Sequence, residues 1–517
     1  MLQHFVPPST SSSLIVSHLS TDVDRRRLEA SRLLTLSDKA QLGQFMTPAT
    51  IAEFMASLFS PCDDTSEIRL LDPGAGVGSL TAAFVQRVCQ EPTPPQRLTV
   101  TAYEVDPNLA ASLRTTLEEC TYLANAHGIN LTYELLPFDF IEHATETLSG
   151  GLFSKPASFT HVITNPPYKK INSQSAHRLL LRNVGIEVTN LYAAFVALSV
   201  QLLAPAGELV AITPRSFCNG PYFLPFRKLL LANMAIHHIH TFGARDAAFK
   251  DDEVLQENVI FSAVKAAEHG DVRLSSSHAL ALDCIDSRSV LFSEVVHPND
   301  PNQIIHIPTT LEDTEIVRKV KMLGHSLRDL GIAVSTGPVV DFRLKAHIHQ
   351  TQTPDSVPLI YPAHVQDGYV VWPRTNGRKP NAIDDDIETR KWLMPQGTYT
   401  LTRRFSSKEE RRRIFAAVYD PARITTDRVG FENHLNVFHQ QGKGLPPLLA
   451  RGLALYLNST LVDQYFRLFN GHTQVNASDL RALPYPGRAE LIALGERAAA
   501  DKLPPQEICL LYTSDAA

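Results

Sequence analysis

Asn165, Pro166, Pro167 and Tyr168 follow one another directly after FTHVIT, a short apolar and β-branched run that reads as a buried strand. Two consecutive prolines give up two backbone donors, and each fixes its own φ while pushing the residue before it out of the helical region. The strand must stop there, with an amide, two proline carbonyls and an aromatic ring held in a stiff turn. The position just past a strand's carboxyl end is where open α/β sheets place their ligands. Taken alone, such a turn is also simply how a strand ends.

Upstream, LLDPGAGVGSL occupies residues 70 to 80. Asp72 closes a strand, and Gly74, Gly76 and Gly78 let the backbone pass close to a bound molecule before a helix begins. The spacing is G-x-G-x-G, whereas a dinucleotide fingerprint runs G-x-G-x-x-G over a pyrophosphate, and no Lys-Ser/Thr ending marks a phosphate loop. A cofactor without phosphates fits better. Glu104 ends the next strand, where a carboxylate can accept from both hydroxyls of a ribose, and Asp139 ends the third, where one can accept from an adenine amino group. The plainer alternative, a glycine turn with two solvent-facing acids, has three strand ends in series to explain.

The elements that must position these residues alternate. IRLLD, LTVTAYEVD, LTYELLPFD, FTHVIT and GELVAIT read as strands, separated by helical stretches such as SLTAAFVQRV and NLYAAFVALSVQLLAP, the latter apolar on most sides and read as core. The helix FLPFRKLLLANM and the strands AIHHIHTFG and ENVIFSAVK follow. Strand and helix at this spacing imply an α/β fold with a doubly wound, mainly parallel sheet. An arm with a charged helical stretch is expected over residues 1–40, the sheet domain over 41–285, and a second domain of α+β type over 290–500, where prolines and Arg-rich loops break the rhythm. The ending ICLLYTSDAA, within 501–517, matches nothing in this pattern and reads as a non-native tail.

Composition bounds the class loosely. A chain of 517 residues with 44% hydrophobic and 20% charged residues describes a globular protein of more than one domain. A net charge of -6 is a sum over the chain and decides nothing about a local basic face. Six cysteines without a C-x-x-C pair argue against zinc and disulfides and fit a reducing cytoplasm. No apolar run reaches membrane-spanning length, and the polar start lacks the order of a signal peptide.

In order along the chain, LGQFMTP, LLDPGAGVGSL, YEVDP, PFDF and NPPY resemble the motifs of S-adenosylmethionine-dependent adenine-N6 DNA methyltransferases of restriction-modification systems, the TaqI-like group. The likeness covers about half the chain and implies a Rossmann-like class I methyltransferase fold. It implies that Phe45, Thr47 and Pro48 close over the methionine end of the cofactor, above Asp72 and the turn of Gly74, Gly76 and Gly78. Glu104 would hold the ribose, and Asp139 with Phe140 the adenine. Ala75 and Val77 depart from the family, whose members often carry a cysteine in this turn.

On that likeness Asn165, Pro166, Pro167 and Tyr168 are catalytic. An exocyclic amino group shares its lone pair with its ring and is a poor nucleophile. Acceptors at the Asn165 side chain and the Pro166 carbonyl would hold the nitrogen closer to tetrahedral, and neither a metal nor prior deprotonation is required. A base in a duplex cannot reach such a pocket, so it must flip out, with Tyr168 and Phe249 as stacking walls. Double-stranded DNA is the implied partner, with a separately encoded restriction endonuclease as a second, and the implied place is the cytoplasm, at the nucleoid when on DNA.

VSTGPVVDFR and FNGHTQVNASDLRALPYP resemble pieces of target-recognition regions, and RRF, RRR, Arg423 and Arg428 lie between them. The acids of AIDDDIE, Asp384 to Asp386, read as a solvated loop rather than a metal site. The same tetrapeptide serves enzymes that methylate a glutamine amide in translation release factors. A protein-glutamine or RNA methyltransferase is therefore the alternative, and a non-catalytic DNA-binding relative the remaining one. The large second domain favours DNA.

Overall fold

The computed structural model describes residues 10–33, 46–61, 67–150, 158–242, 257–277, 286–366, 368–374, 377–406, 410–471 and 473–501. They form two compact units, divided between Thr309 and Thr310.

The first unit is built on nine strands: β1 (Glu67–Pro73), β2 (Arg97–Tyr103), β3 (Asn130–Leu136), β4 (Phe159–Thr164), β5 (Leu203–Pro214), β6 (Met234–Phe242), β7 (Asn258–Lys265), β8 (Asp271–Ser277) and β9 (Asp286–Leu291). They lie in the order β3-β2-β1-β4-β5-β7-β6-β8-β9. The first five are parallel, and β7 inserts antiparallel between β5 and β6. The chain reverses its direction of travel across the sheet between β1 and β4, which opens a crevice at their carboxyl ends.

Strand side chains alternate between two apolar layers, as a sheet covered on both faces requires. Ile68 and Leu70 of β1 join the layer of α1 (Thr10–Leu33), α2 (Ala49–Ser57), α3 (Ser79–Cys89) and α4 (Pro107–Ala126), with Val210 and Ile212 of β5. Leu71, Leu209 and Ala211 point the other way, into the layer of α5 (Phe140–Ser149), α6 (Ala176–Asn183), α7 (Leu191–Leu202) and α8 (Leu224–Asn233). Helix α7 is buried on nearly every side, as its unbroken apolar composition predicts.

The second unit holds two further sheets. One has the order β10-β20-β17-β18-β14-β13, from β10 (Ala333–Thr336), β13 (Val365–Gln366), β14 (Tyr369–Val370), β17 (Tyr399–Arg403), β18 (Ala416–Tyr419) and β20 (Leu435–His439). The other has the order β11-β15-β12-β19-β16, from β11 (Ile348–His349), β12 (Ser356–Ile360), β15 (Ala382–Asp384), β16 (Leu393–Pro395) and β19 (Arg428–Phe431). A helix at Leu311–Lys321 precedes the strands, and further helices follow them at residues 447–501.

Two boundaries differ from the sequence reading. The break expected at 285 to 290 falls inside the first unit, because β8 pairs parallel with β6 and carries β9 with it. Strand β9, DSRSVL, has only Val290 fully buried and so shows no apolar pattern to announce it. Helix α1 begins at Thr10, inside the Ser/Thr-rich arm, and Leu19 and Val23 anchor it to the core.

Candidate active site

Four neighbouring strands of the first unit deliver the site from their carboxyl ends. β1 ends in Asp72 and Pro73 and runs into a turn in which Gly74, Gly76 and Gly78 all have positive φ, at 76°, 59° and 89°. A side chain at residue 78 would put its Cβ 2.8 Å from Leu113 and 2.9 Å from Thr116, so glycine there is required for α3 to pack on α4. At Gly76 a Cβ would meet nothing within 4 Å, because the backbone there faces open cavity.

β2 delivers Glu104, whose Oε2 accepts from the Gly76 amide and Oε1 from the Asp106 amide, both at 2.9 Å. β3 leads to Asp139, which caps α5 by accepting from the amides of Ile141 at 2.8 Å and Glu142 at 3.1 Å. β4 ends at Thr164, and Asn165 follows with its Nδ2 donating to Thr47 Oγ1 at 3.0 Å. A cavity of about 260 Å³ joins them, lined among others by Thr47, Gly74, Gly76, Glu104, Asp139, Phe140, Asn165 and Pro167.

Burial sets the electrostatics. The Asp72 carboxyl, fully buried, is pushed up to about 7 by desolvation, with the charge of Glu104 adding to the effect. Its Oδ2 accepts from Thr81 Oγ1 at 2.7 Å, while Oδ1 has no hydrogen-bond partner among the described residues. Glu104 is raised by the same desolvation. Asp139 goes the other way: burial opposes its charge, but His177, 3.3 Å away, and the amides of α5 outweigh it and hold the carboxyl below its usual range. His177 is raised in turn, chiefly by its hydrogen bond to Asp139.

Residues 109–249 match the family described as Eco57I restriction-modification methylase. The chain is 47% identical to the type II methyltransferase M.BsuBI of Bacillus subtilis over 92% of its own length and 93% of that protein's. The chain belongs to the type II restriction-modification methyltransferases. A second member, M.PstI of Providencia stuartii, is 45% identical over 91% of the chain and 92% of its own. Among solved structures, the type IIL restriction-modification enzyme MmeI in complex with DNA is similar over 97% of this chain and 72% of that one, at 11% identity and a TM-score of 0.49.

Membership makes the chain a DNA methyltransferase that uses S-adenosylmethionine. The residues fit that cofactor. The open space over Gly76 admits a ligand against the backbone, and Glu104 lines the same cavity, where a sugar's hydroxyls can be received. Val105 and Phe138, 52% and 51% exposed, are large apolar side chains on the same cavity, suited to the faces of an adenine ring.

This methyltransferase gathers some of the expected residues on the cavity and sets others behind it. Pro48, Asp72, Gly78, Pro166 and Tyr168 do not line it. Pro48 starts α2, Asp72 lies under the turn, and Tyr168 packs against both apolar layers, 6.3 Å edge-on to Tyr192. Phe45 and Phe249 lie outside the described residues. The sequence reading missed Tyr103, Val105, Phe138, His177 and Phe195. Val105 and Phe138 could have been found as the apolar neighbours of Glu104 and Asp139. Phe195 belongs to a helix taken as core, which it is, yet its ring also reaches the cavity, 5.0 Å from Phe140. Nothing in the pattern marked His177.

In the second unit the quoted motifs are tightly built in. Gly337, in VSTGPVVDFR, leaves no room for a Cβ, which would fall 2.3 Å from the Glu432 carbonyl oxygen. Asn470, in the second motif, binds Arg413 Nη2 at 2.9 Å and Asp479 at 3.2 Å. Arg413 is therefore a buried framework residue, 1% exposed, while Arg411 at the start of the same run is exposed. Of the acids of AIDDDIE, Asp385 and Asp386 lie in a loop as expected, whereas Asp384 belongs to a strand, and all three are partnered. Asp384 lies in β15 with His347 at 3.3 Å and His349 at 2.5 Å, Asp385 meets Arg390 at 2.9 Å, and Asp386 accepts from the amides of Glu388 and Thr389 at 2.8 and 2.9 Å. His347, Asp384 and Asp386 stand close enough to share an ion, and their local pairing already accounts for the arrangement.

Proposed function

We propose that this chain methylates the exocyclic N6 amino group of an adenine flipped out of duplex DNA, at a specific site, as the modification half of a restriction-modification system or as a solitary methylase. The observation that carries the reading is Asn165, which shares one cavity with Gly74, Gly76, Glu104 and Asp139. S-Adenosylmethionine, when bound, supplies an activated methyl on a sulfonium, so the protein's task is to orient a weak nucleophile.

Asn165 and the Pro166 carbonyl accept from the two amino hydrogens, which turns the nitrogen lone pair out of the ring plane. Preorganised acceptors of this kind act without reorganisation in a site closed to water. Glu104 and Asp139 hold the cofactor, Pro167 stiffens the turn, and Tyr168 supports the flipped base from its apolar setting, with Phe249 as its second wall. The chemistry calls for no metal. The second unit reads the target through arginines that remain exposed. Likeness to type II methyltransferases over almost the whole chain disfavours the protein-glutamine and RNA alternatives.

We place the enzyme in the cytoplasm, at the nucleoid when on DNA, alongside a separately encoded endonuclease where one exists. No helix of the described residues is long and apolar enough to cross a membrane. The deciding experiment is expression in a host free of DNA methylation, followed by sequencing for modified bases. Methylated adenine in one short recurring sequence is expected; methylated cytosine or unmodified DNA would overturn the reading.

A further inference from the structure

A second cavity, of about 380 Å³, lies within the second unit, where three of its strands end. The parallel neighbours β12 and β19 run out into Tyr361 and into the turn at 432–434, and β17 runs out towards Phe405. Tyr361, Pro362 and Ala363 give it an apolar lining. Phe405, also on the cavity, is 45% exposed, with its ring 5.1 Å from that of His434.

Glu432 is fully buried, and both its oxygens serve His434: Oε1 receives Nδ1 at 2.5 Å, and Oε2 receives the backbone amide at 3.0 Å. A carboxylate can only accept, so Nδ1 is the donor and Nε2 is the ring atom left for a ligand. The rim is basic. Lys379 lies 4.9 Å from the centre of the Tyr361 ring, Arg374 donates to the Ala363 carbonyl, and Arg404 donates to that of Asn433 at 3.3 Å. Asp341, 3.4 Å from Lys379, answers one of these charges, and the rest is a local excess in a chain of net charge -6.

Two segments far apart in sequence hold the walls. Val339 bridges to Glu432, Gln474 bridges to Phe405, and the Ser406 amide donates to the Thr473 carbonyl at 3.1 Å. A concavity held in this way binds without first being ordered. Its apolar lining does not suit a phosphate as occupant, and its basic rim does not suit a lipid or an apolar peptide. A nucleobase flanked by phosphates suits both.

We infer that this cavity reads one base pair of the target duplex: Phe405 touches the apolar part of a base, His434 Nε2 hydrogen-bonds its edge, and Arg374, Lys379 and Arg404 meet the phosphates alongside. The inference rests on the proposed function and deepens it, by naming side chains that choose a base.

The test is competition binding at fixed salt, with the full-length protein, S-adenosylhomocysteine and short duplexes carrying the methylated sequence, in which each base pair is replaced in turn. Replacing the pair that the cavity reads should cost the wild-type protein about 10- to 100-fold in affinity, the range of a good base contact. In Phe405→Ala and in His434→Ala that penalty should shrink to within about 3-fold, at one and the same position, with the penalties at the other positions kept. Lys379→Ala should weaken every duplex alike and flatten the salt dependence, as loss of a phosphate contact does.

His434→Ala strips the buried Glu432 of its partner, and if that variant does not fold, Phe405→Ala carries the test by itself. A merely structural role would lower the affinity for all duplexes together. Such a uniform loss in Phe405→Ala, unchanged penalties at every position, or relaxation at different positions in the two variants would overturn the inference. A wild-type protein that prefers no sequence would overturn the proposed function and, with it, the inference that rests on it.

Discussion

Asn165 and Glu104 line one cavity but should fail in different ways. On the proposed mechanism Asn165 acts on the target base, so Asn165→Ala should lower kcat by at least about 100-fold, as removal of a preorganised polar group does, with cofactor affinity nearly unchanged. Glu104 already holds the glycine turn through the Gly76 amide, so Glu104→Ala should weaken S-adenosylmethionine binding first. Titration calorimetry beside single-turnover methylation separates the two, and equal loss of affinity in both variants would contradict the assignment. Asp72 carries a pH prediction. Its folded pKa, about 7, lies above the value of an unfolded carboxyl, so its proton favours the folded state. That contribution is fully present below the unfolded pKa of about 4 and is lost as pH rises to about 7. Thermal melts of the cofactor-free protein across this window should show a decline that Asp72→Asn reduces. An identical slope in the variant would place the titration elsewhere.

The glycine turn shows how an element depends on its neighbours. Gly78→Ala would force a left-handed φ of 89° on a side chain and drive its Cβ into Leu113 and Thr116. It should destabilise the protein by about 1–3 kcal/mol and loosen the cofactor site, read as a lower Tm and weaker S-adenosylhomocysteine binding. At Gly76, where a Cβ meets nothing, alanine should spare Tm more than it spares cofactor binding. This contrast also marks what was legible in the sequence. The five parallel strands and the acids at their ends were readable because buried parallel strands are short apolar runs and the turn chemistry lies at their boundaries. Strand β9 was not, since it is polar and is placed only by pairing with β8. His177 was not either, because its role depends on α6 lying beside Asp139, a tertiary fact without a local signature. His349 on β11, a partner of Asp384, was hidden for the same reason.

Across the whole chain, the cavity and every described residue of the proposed catalytic and cofactor sets belong to the unit ending at Thr309, whereas the arginine runs belong to the other. Chemistry and target selection should therefore separate. A break at residue 285 would remove β9 and leave an edge of β8 unpaired, so the informative chain ends at 309. That shortened protein should bind S-adenosylhomocysteine within a few-fold of the full-length affinity, because Gly76, Glu104 and Asp139 keep all their described partners. It should lose discrimination between target and non-target duplexes, since phosphate contacts position a protein but base contacts specify the sequence. Calorimetry measures the first property, and competition binding at fixed salt the second, because salt alone shifts such affinities by orders of magnitude. Full selectivity in the shortened chain would show that the sheet unit reads the target itself, and lost cofactor affinity would show that the first unit does not hold the cofactor by itself.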